Sequence, residues 1–391
     1  MIITSINFSS MDYCSNCIIP VSRPDQSFTE KKICNACESF ENRKQIDWNK
    51  RWEFFLEKIE KIKKKKNDGW NCVIPSSGGK DSTYQALKAR EIGLSPVLVT
   101  ASTCHLSLIG RRNIDNLKKI GFDTVEITPN HKTRAKLNRI CLEEIGDISW
   151  PEHISIFTFP VKFALKYKIP LILYGENPQM EYGGPVEQLK NQILDRKWLE
   201  EFGGLLGLRV TDFIENHGFS EKEMHIYKYP DQQELDQFKI ESLFLGFFEP
   251  WDNFRNADVA KKNGLDVFSS AVENCYLDYE KLDNYQHGIH DYFKYLKYGF
   301  GRATDQLSLL IRRKKITRDE AIKLVKKFEG KFPNSYLGKP LKEILDHIGI
   351  SLEKFNIICD KFTNKKIFKC DQSGNLIKDQ DGNLINNLKY L

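Results

Sequence analysis

No run of about 18 or more apolar residues occurs in this 391-residue chain, which excludes a hydrophobic helix crossing a bilayer. Met1-Ile2-Ile3-Thr4 lacks a charged segment leading into an apolar stretch and cleavage site, so the expectation is a cytoplasmic protein with no membrane partner. No internal repeat covers a domain, which argues against a solenoid or propeller. Neither sign of charge dominates: 59 Lys and Arg against 53 Asp and Glu leave +6. Much of that surplus lies in Lys-rich helical stretches such as Lys61 to Lys66, which read as a solvated helix face. Nucleic acid is therefore not an expected partner. The length exceeds one typical domain, and 40% hydrophobic residues suffice for substantial cores.

Of the ten cysteines, four form two tight pairs near the start, Cys14-x2-Cys17 and Cys34-x2-Cys37, unlike the framework of a short secreted disulfide protein. Four thiolates at this spacing suit a closed tetrahedral zinc site, which leaves no open position for substrate or activated water. An iron–sulfur cluster also takes four thiolates, so zinc is favoured and the alternative stays open.

The most informative stretch is Ser77-Gly78-Gly79-Lys80-Asp81-Ser82. Cys72-Val73-Ile74 before it reads as a buried strand, and Ser82 to Ala89 after it as a helix. A glycine pair between strand and helix lets backbone N–H groups approach a polyphosphate, and the helix N-terminus adds partial positive charge. A Walker A loop is excluded, because Ile74 stands where that motif needs glycine and Asp81 where it needs Ser or Thr. The hexapeptide instead resembles the SGGxDS signature of the PP-loop ATP pyrophosphatases. That superfamily cuts ATP between its α and β phosphates and adenylates a substrate oxygen, and a nucleophile then displaces AMP.

The expected organisation is a zinc knuckle over 1–45, a linker helix within 46–69, an ATP-binding α/β domain over 70–185, a substrate-binding region over 186–335 and a helical C-terminal region over 336–391 ending in a hairpin. Strands are expected at 71–75, 96–101, 124–128 and 170–174, with helices at 82–92, 107–120, 131–145 and 153–167 between them. That alternation predicts an α/β fold, a Rossmann-like doubly wound parallel sheet whose ligands sit beyond the carboxyl ends of its strands. Further helices are expected at 279–298, 317–329, 339–347 and 351–363.

Three more segments face that crevice in this reading. After the fourth strand come Gly175-Glu176-Asn177-Pro178 and Glu181-Tyr182-Gly183-Gly184; after the second come Thr100 to His105. The third runs from His287 through His290, Lys294 and Lys297 to Gly299-Phe300-Gly301-Arg302. Its cations recur at helical spacing, and together with Arg302 they suit a phosphate or a sugar carboxylate.

The Cys pairs, SGGKDS, the Gly175–Gly184 segment and Lys297 to Thr304 together resemble the N-acetyl sugar amidotransferases of the WbpG/PseA type, from about Tyr13 to Pro333. The resemblance implies ATP-dependent conversion of an acetamido group on a nonulosonate or uronate sugar, nucleotide-activated, to acetamidino, in surface-polysaccharide or flagellin-glycan biosynthesis. ATP, Mg²⁺ and Zn²⁺ are the implied cofactors. ATP would meet Ser77, Gly78, Gly79, Lys80, Asp81, Ser82, Thr100, Ser102 and Gly175. Lys80 and Arg302 would offset charge on departing pyrophosphate and Asp81 would position Mg²⁺; Glu176 or Glu181 would orient the amide or take a proton from ammonia. The sugar would meet Asn177, Glu181, Tyr182, His287, His290, Lys297 and Arg302. None of Cys72, Cys104, Cys141 or Cys275 sits in a Gly-x-Cys-x-Gly turn, so a separate HisH/HisF-like glutaminase partner is implied as the ammonia source. A PP-loop tRNA thiolation enzyme is the competing reading. It is disfavoured because no Cys-x2-Cys follows the first forty residues.

Overall fold

The structure, a computed structural model, describes residues 13–65, 68–183 and 204–387. The expected boundary at residue 185 and residues 186–203 lie outside this set. Strand β1 (Cys72–Pro75) is central in a five-stranded sheet with β2 (Pro96–Ala101), β3 (Asp123–Ile127), β4 (Leu171–Tyr174) and β5 (Glu241–Phe244), in the order β3-β2-β1-β4-β5. All pairings are parallel, Val73 lying beside Val97 on one side and Ile172 on the other.

Strands this short can be buried on both faces only when apolar at every position, and β1 and β4 are. The helices are α1 (Asn35–Asn42), α2 (Trp48–Lys65), α3 (Lys80–Glu91), α4 (Leu108–Lys119), α5 (His131–Ile145), α6 (Trp150–Lys166) and α7 (Pro178–Tyr182), with others named below by range. Cys72, Ile74, Leu98 and Leu173 pack with Phe55 and Ile59 of α2 and Ala86 of α3. Val73, Val97, Val99 and Ile172 pack with Val161 and Ala164 of α6. Each fully buried aliphatic side chain contributes about 1.5–3 kcal/mol, so apolar side chains on both faces of β1 and β2 hold the sheet between its two helical layers.

Strands β2 and β3 build outward on one side of β1, and β4 and β5 on the other. The switch point therefore falls between β1 and β4, where successive loops part and open a crevice. The loop after β1 carries Ser77 to Lys80 and the loop after β4 carries Gly175 and Glu176. The sequence placed both there.

Helices such as Asn253–Lys262 and Arg302–Arg312 were not expected, and three further differences bear on the sheet and the site. Strand β5 was not expected, because Glu241-Ser242-Leu243-Phe244 sits in an aromatic-rich region without alternation or flanking turn signals. Helix α3 begins at Lys80 and not Ser82, so Lys80 and Asp81 belong to its first turn. The helix expected from 279 begins at His287; residues 279–286 form an irregular stretch that feeds side chains into the crevice. At the C-terminus, bridges Cys370↔Leu376 and Lys378↔Leu384 form small hairpins. Ile109 of α4 and Leu142 of α5 share a core with Phe293, Phe355 and Phe368, so the C-terminal helices back the nucleotide-side helices directly.

Candidate active site

Gly78 has φ +80°, and a Cβ there would lie 2.8 Å from the Ile114 amide nitrogen, so only glycine fits. Its N–H donates to Ser76 Oγ at 3.2 Å, and Gly79 caps α3 in an extended conformation. The first-turn amides of α3 have no acceptor within the helix and open on a cavity of about 200 Å³. Ser77, Gly79, Lys80, Asp81, Ser82 and Arg302 are among its walls. An N-terminal turn with free donors at the floor of a cavity is an anion cradle.

Above that floor sits a buried ion network. Lys80 Nζ contacts Asp81 Oδ2 at 2.8 Å and Glu280 Oε1 at 2.7 Å, and Arg302 Nε donates to the other Glu280 oxygen at 3.0 Å. Asn256 donates to Asp81 Oδ1 at 3.0 Å. Burial works against the Glu280 charge, but Arg302 and Lys80 hold its carboxyl down at about 2. Burial likewise opposes the Lys80 charge, and Asp81 and Glu280 outweigh it, so the ammonium persists well above its ordinary range. Two cations are thus fixed beside the cradle without relying on a ligand to hold them.

Glu176 behaves oppositely. Burial and then the Asp81 charge push its carboxyl up to about 8. A carboxyl with that affinity can give or take a proton near neutrality. Glu181 cannot take this part in the same way: Arg43 Nη1 at 2.7 Å and Arg313 Nη2 at 3.1 Å occupy its two oxygens.

A second cavity of about 430 Å³ adjoins the first through Ser77, Lys281 and Asp283, and Glu176 and His287 line it. Val99, Ala101 and Thr103 line it from β2 and the loop that follows. Thr100 and Ser102, expected here, do not; strand alternation carries them away from it, and both are buried. Gly175 is also off the cavity wall: a Cβ there would meet Trp251 at 2.9 Å, so its smallness serves packing.

A third cavity, also about 430 Å³, meets the second at His153. Tyr182, His290, Lys294, Lys297 and Arg23 are on its walls. His290 Nδ1 is 2.8 Å from Asp147 Oδ1; Arg23 Nη1 is 2.6 Å from Asp305, which Lys294 also bonds. Lys297 donates to the Ile145 carbonyl at 2.6 Å. The expected His–Lys stripe therefore runs past two cavities, His287 at one and His290 and Lys297 at the other. Asn177 lies off these walls, buried, accepting from the Met180 N–H at 3.3 Å. Sequence reasoning missed Glu280, Asn256, Asp147, His153 and Arg23. Each acts through a contact made by the fold; Glu280 lay within the helix expected at 279–298 and Arg23 between the two Cys pairs, but no local pattern marked either side chain.

Cys14, Cys17, Cys34 and Cys37 bring their sulfurs within 4.8 Å of one another, and all four are buried. Cys14 and Cys37 are 3.9 Å apart, Cys17 and Cys34 3.7 Å. A tetrahedron with metal–sulfur bonds of about 2.3 Å has edges of about 3.8 Å, so these residues fit a four-coordinate divalent ion such as zinc. Backbone N–H groups of Cys17 and Cys34 point at Cys14 Sγ at 3.4 and 3.3 Å, as donors to a thiolate do.

The parallel sheet, the SGGKDS cradle at its switch point and the cysteine knuckle define an α/β protein with an anion cradle at the carboxyl ends of its strands and a buried four-cysteine cluster. Residues 273–380 match the family described as LPS biosynthesis protein WbpG-like, C-terminal domain, which supports the family that the whole-chain motifs resemble. Match and loop together support an ATP-utilising enzyme. No curated protein matches the chain. A solved structure described as a predicted subunit of tRNA methyltransferase from Methanocaldococcus jannaschii is similar over 60% of this chain and 92% of its own, at 15% identity; its TM-score of 0.27 is too low to carry an argument. Among the described residues, no helix is long and apolar enough to cross a membrane.

Proposed function

We propose that this chain is an ATP-dependent, AMP- and pyrophosphate-forming amidotransferase that converts the acetamido group of a nucleotide-activated nonulosonate or uronate sugar to acetamidino. The observation that carries the reading is the placement of a high-pKa carboxyl, Glu176, across the switch point from a phosphate cradle whose cations are already fixed by Glu280.

An amide oxygen is too poor a leaving group for ammonia to displace. In this reading the amide oxygen attacks the α-phosphorus of ATP, the bond to the β-phosphate oxygen breaks, and pyrophosphate leaves past Lys80 and Arg302 and the α3 amides. Asp81 is the carboxylate that would hold Mg²⁺, which neutralises phosphate charge when bound. Ammonia then adds to the activated carbon, one nitrogen proton passes to ionised Glu176, and the carbon–oxygen bond breaks to release AMP and the amidine. The nucleotide occupies the first two cavities and the sugar the third, its acidic group toward Arg23, Lys294 and Lys297, with Tyr182 and His290 on the walls beside it.

Ammonia comes from a separate glutaminase in this account. Burial holds the thiols of Cys104 at about 11 and Cys275 at about 12, and raises Cys72 and Cys141 as well, so none offers a reactive thiolate.

Pyrophosphate–ATP exchange tests the first half-reaction alone. With Mg²⁺ and no ammonia, exchange should require an acetamido sugar acid; exchange driven by tRNA instead would favour the thiolation reading.

A further inference from the structure

The four-cysteine knuckle is closed to substrate, yet it is wired to the loop beyond β4. The helix Arg302–Arg312 ends against it: Ile311 packs on the cysteine cluster, and Arg318 Nε donates to the Cys17 carbonyl at 3.2 Å. Arg312 is 5% exposed and donates through Nη2 to the Glu181 carbonyl at 3.1 Å, while its Nε and Nη1 are buried without a partner. Burial opposes the charge of its guanidinium, and the nearby sulfurs of Cys17, Cys37 and Cys34, with Glu181, favour it.

A divalent ion in four thiolates leaves a net charge of about −2 in a buried place, and such a charge needs a nearby cation. Arg312 is that cation by position. It grips α7 at the same time, where Arg43 and Arg313 hold the Glu181 carboxylate. Contact is also steric: Gly183, at φ +87°, lies so close to α1 that a Cβ would be 2.7 Å from Asn35 Oδ1 and 3.2 Å from Ala36. Asn35 and Ala36 directly follow Cys34.

We propose that Arg312 is the outer counter-ion of a divalent metal held by Cys14, Cys17, Cys34 and Cys37, and that its bond to Glu181 couples occupancy of that centre to the α7 turn. Arg312 is a positioning residue in this scheme. Outer partners of metal ligands typically account for about 10–100-fold in metal affinity.

The test uses the full chain loaded with zinc and needs neither ATP nor sugar, so its outcome is separable from that of the proposed reaction. Zinc release to a colorimetric chelator should be roughly tenfold or more faster in Arg312→Met, near wild type in Arg312→Lys, which keeps the charge, and unchanged in Arg313→Met, which loses a neighbouring buried arginine. In the wild-type chain, stripping zinc should raise amide hydrogen exchange across residues 177–183. Arg312→Met releasing zinc at the wild-type rate overturns the counter-ion role, and unchanged exchange at 177–183 overturns the coupling. If Arg312→Met does not fold, Arg312→Lys and the wild-type exchange measurement decide.

Discussion

Asp81 serves two neighbours, accepting from Lys80 and from Asn256, and it also stands first in line for a phosphate-bound cation. Its loss leaves Lys80 still bonded to Glu280, so Asp81→Ala should lose only about 1 kcal/mol of stability. Pyrophosphate release should nevertheless fall by about 100-fold or more, because charge placement at the reacting phosphate is what disappears. Stopped-time pyrophosphate assay beside thermal unfolding separates the two effects; wild-type release by a folded variant would remove the cradle from the chemistry.

Glu176 gives a prediction with a sign. Its folded pKa of about 8 lies above the ordinary carboxyl value, so the native state holds the proton more tightly than the unfolded chain does. Between roughly pH 4.5 and 8 the native state therefore carries an extra proton, and stability from this group declines as pH rises. Glu176→Gln should match wild type near pH 5 and become the more stable of the two by pH 9. The gap should be on the order of 1–3 kcal/mol, from about 1.4 kcal/mol per tenfold change in proton affinity discounted for partial exposure. Denaturant midpoints at the two pH values measure it, and a gap that shrinks with pH would contradict the assignment.

At the scale of elements, the turn between β1 and α3 depends on one backbone conformation. Gly78→Ala would put a methyl group against the Ile114 backbone while forcing φ +80° on an L-residue. Calorimetric ATP affinity should drop at least about tenfold, since the α3 amides can no longer present together. Affinity equal to wild type would mean that another surface binds the nucleotide. This element was legible in the sequence because its requirements are local: apolar strand, glycine pair, helix. The four-cysteine knuckle was legible for the same reason. Strand β5 was not, because Glu241 to Phe244 join the sheet only through pairing with Leu171 to Tyr174, some seventy residues earlier. Thr100 and Ser102 were named from their segment, but the side of a strand that lines a cavity depends on register, and Val99 and Ala101 hold that side.

At the scale of the molecule, the site is assembled from distant parts of the chain: Arg23 from the knuckle, Asp81 from the first turn of α3, Glu176 from the loop after β4, Glu280 and Arg302 from around the helix His287–Tyr298. Ion pairs such as Lys80–Glu280 and Arg23–Asp305 span 200 residues or more, and no spacing rule announces them. The central claim is that this assembly replaces an amide oxygen by nitrogen at the expense of ATP. It is tested most directly by product mass after incubation of the purified chain with Mg-ATP, ¹⁵N-ammonium and a panel of nucleotide-activated acetamido sugar acids. The account predicts one AMP per product, a product about one mass unit lighter with ¹⁴N and equal in nominal mass with ¹⁵N, and no turnover when glutamine alone replaces ammonium, by the adenylate-displacement route. AMP formation with no nitrogen incorporated in any sugar, or full turnover on glutamine without a partner, would contradict it.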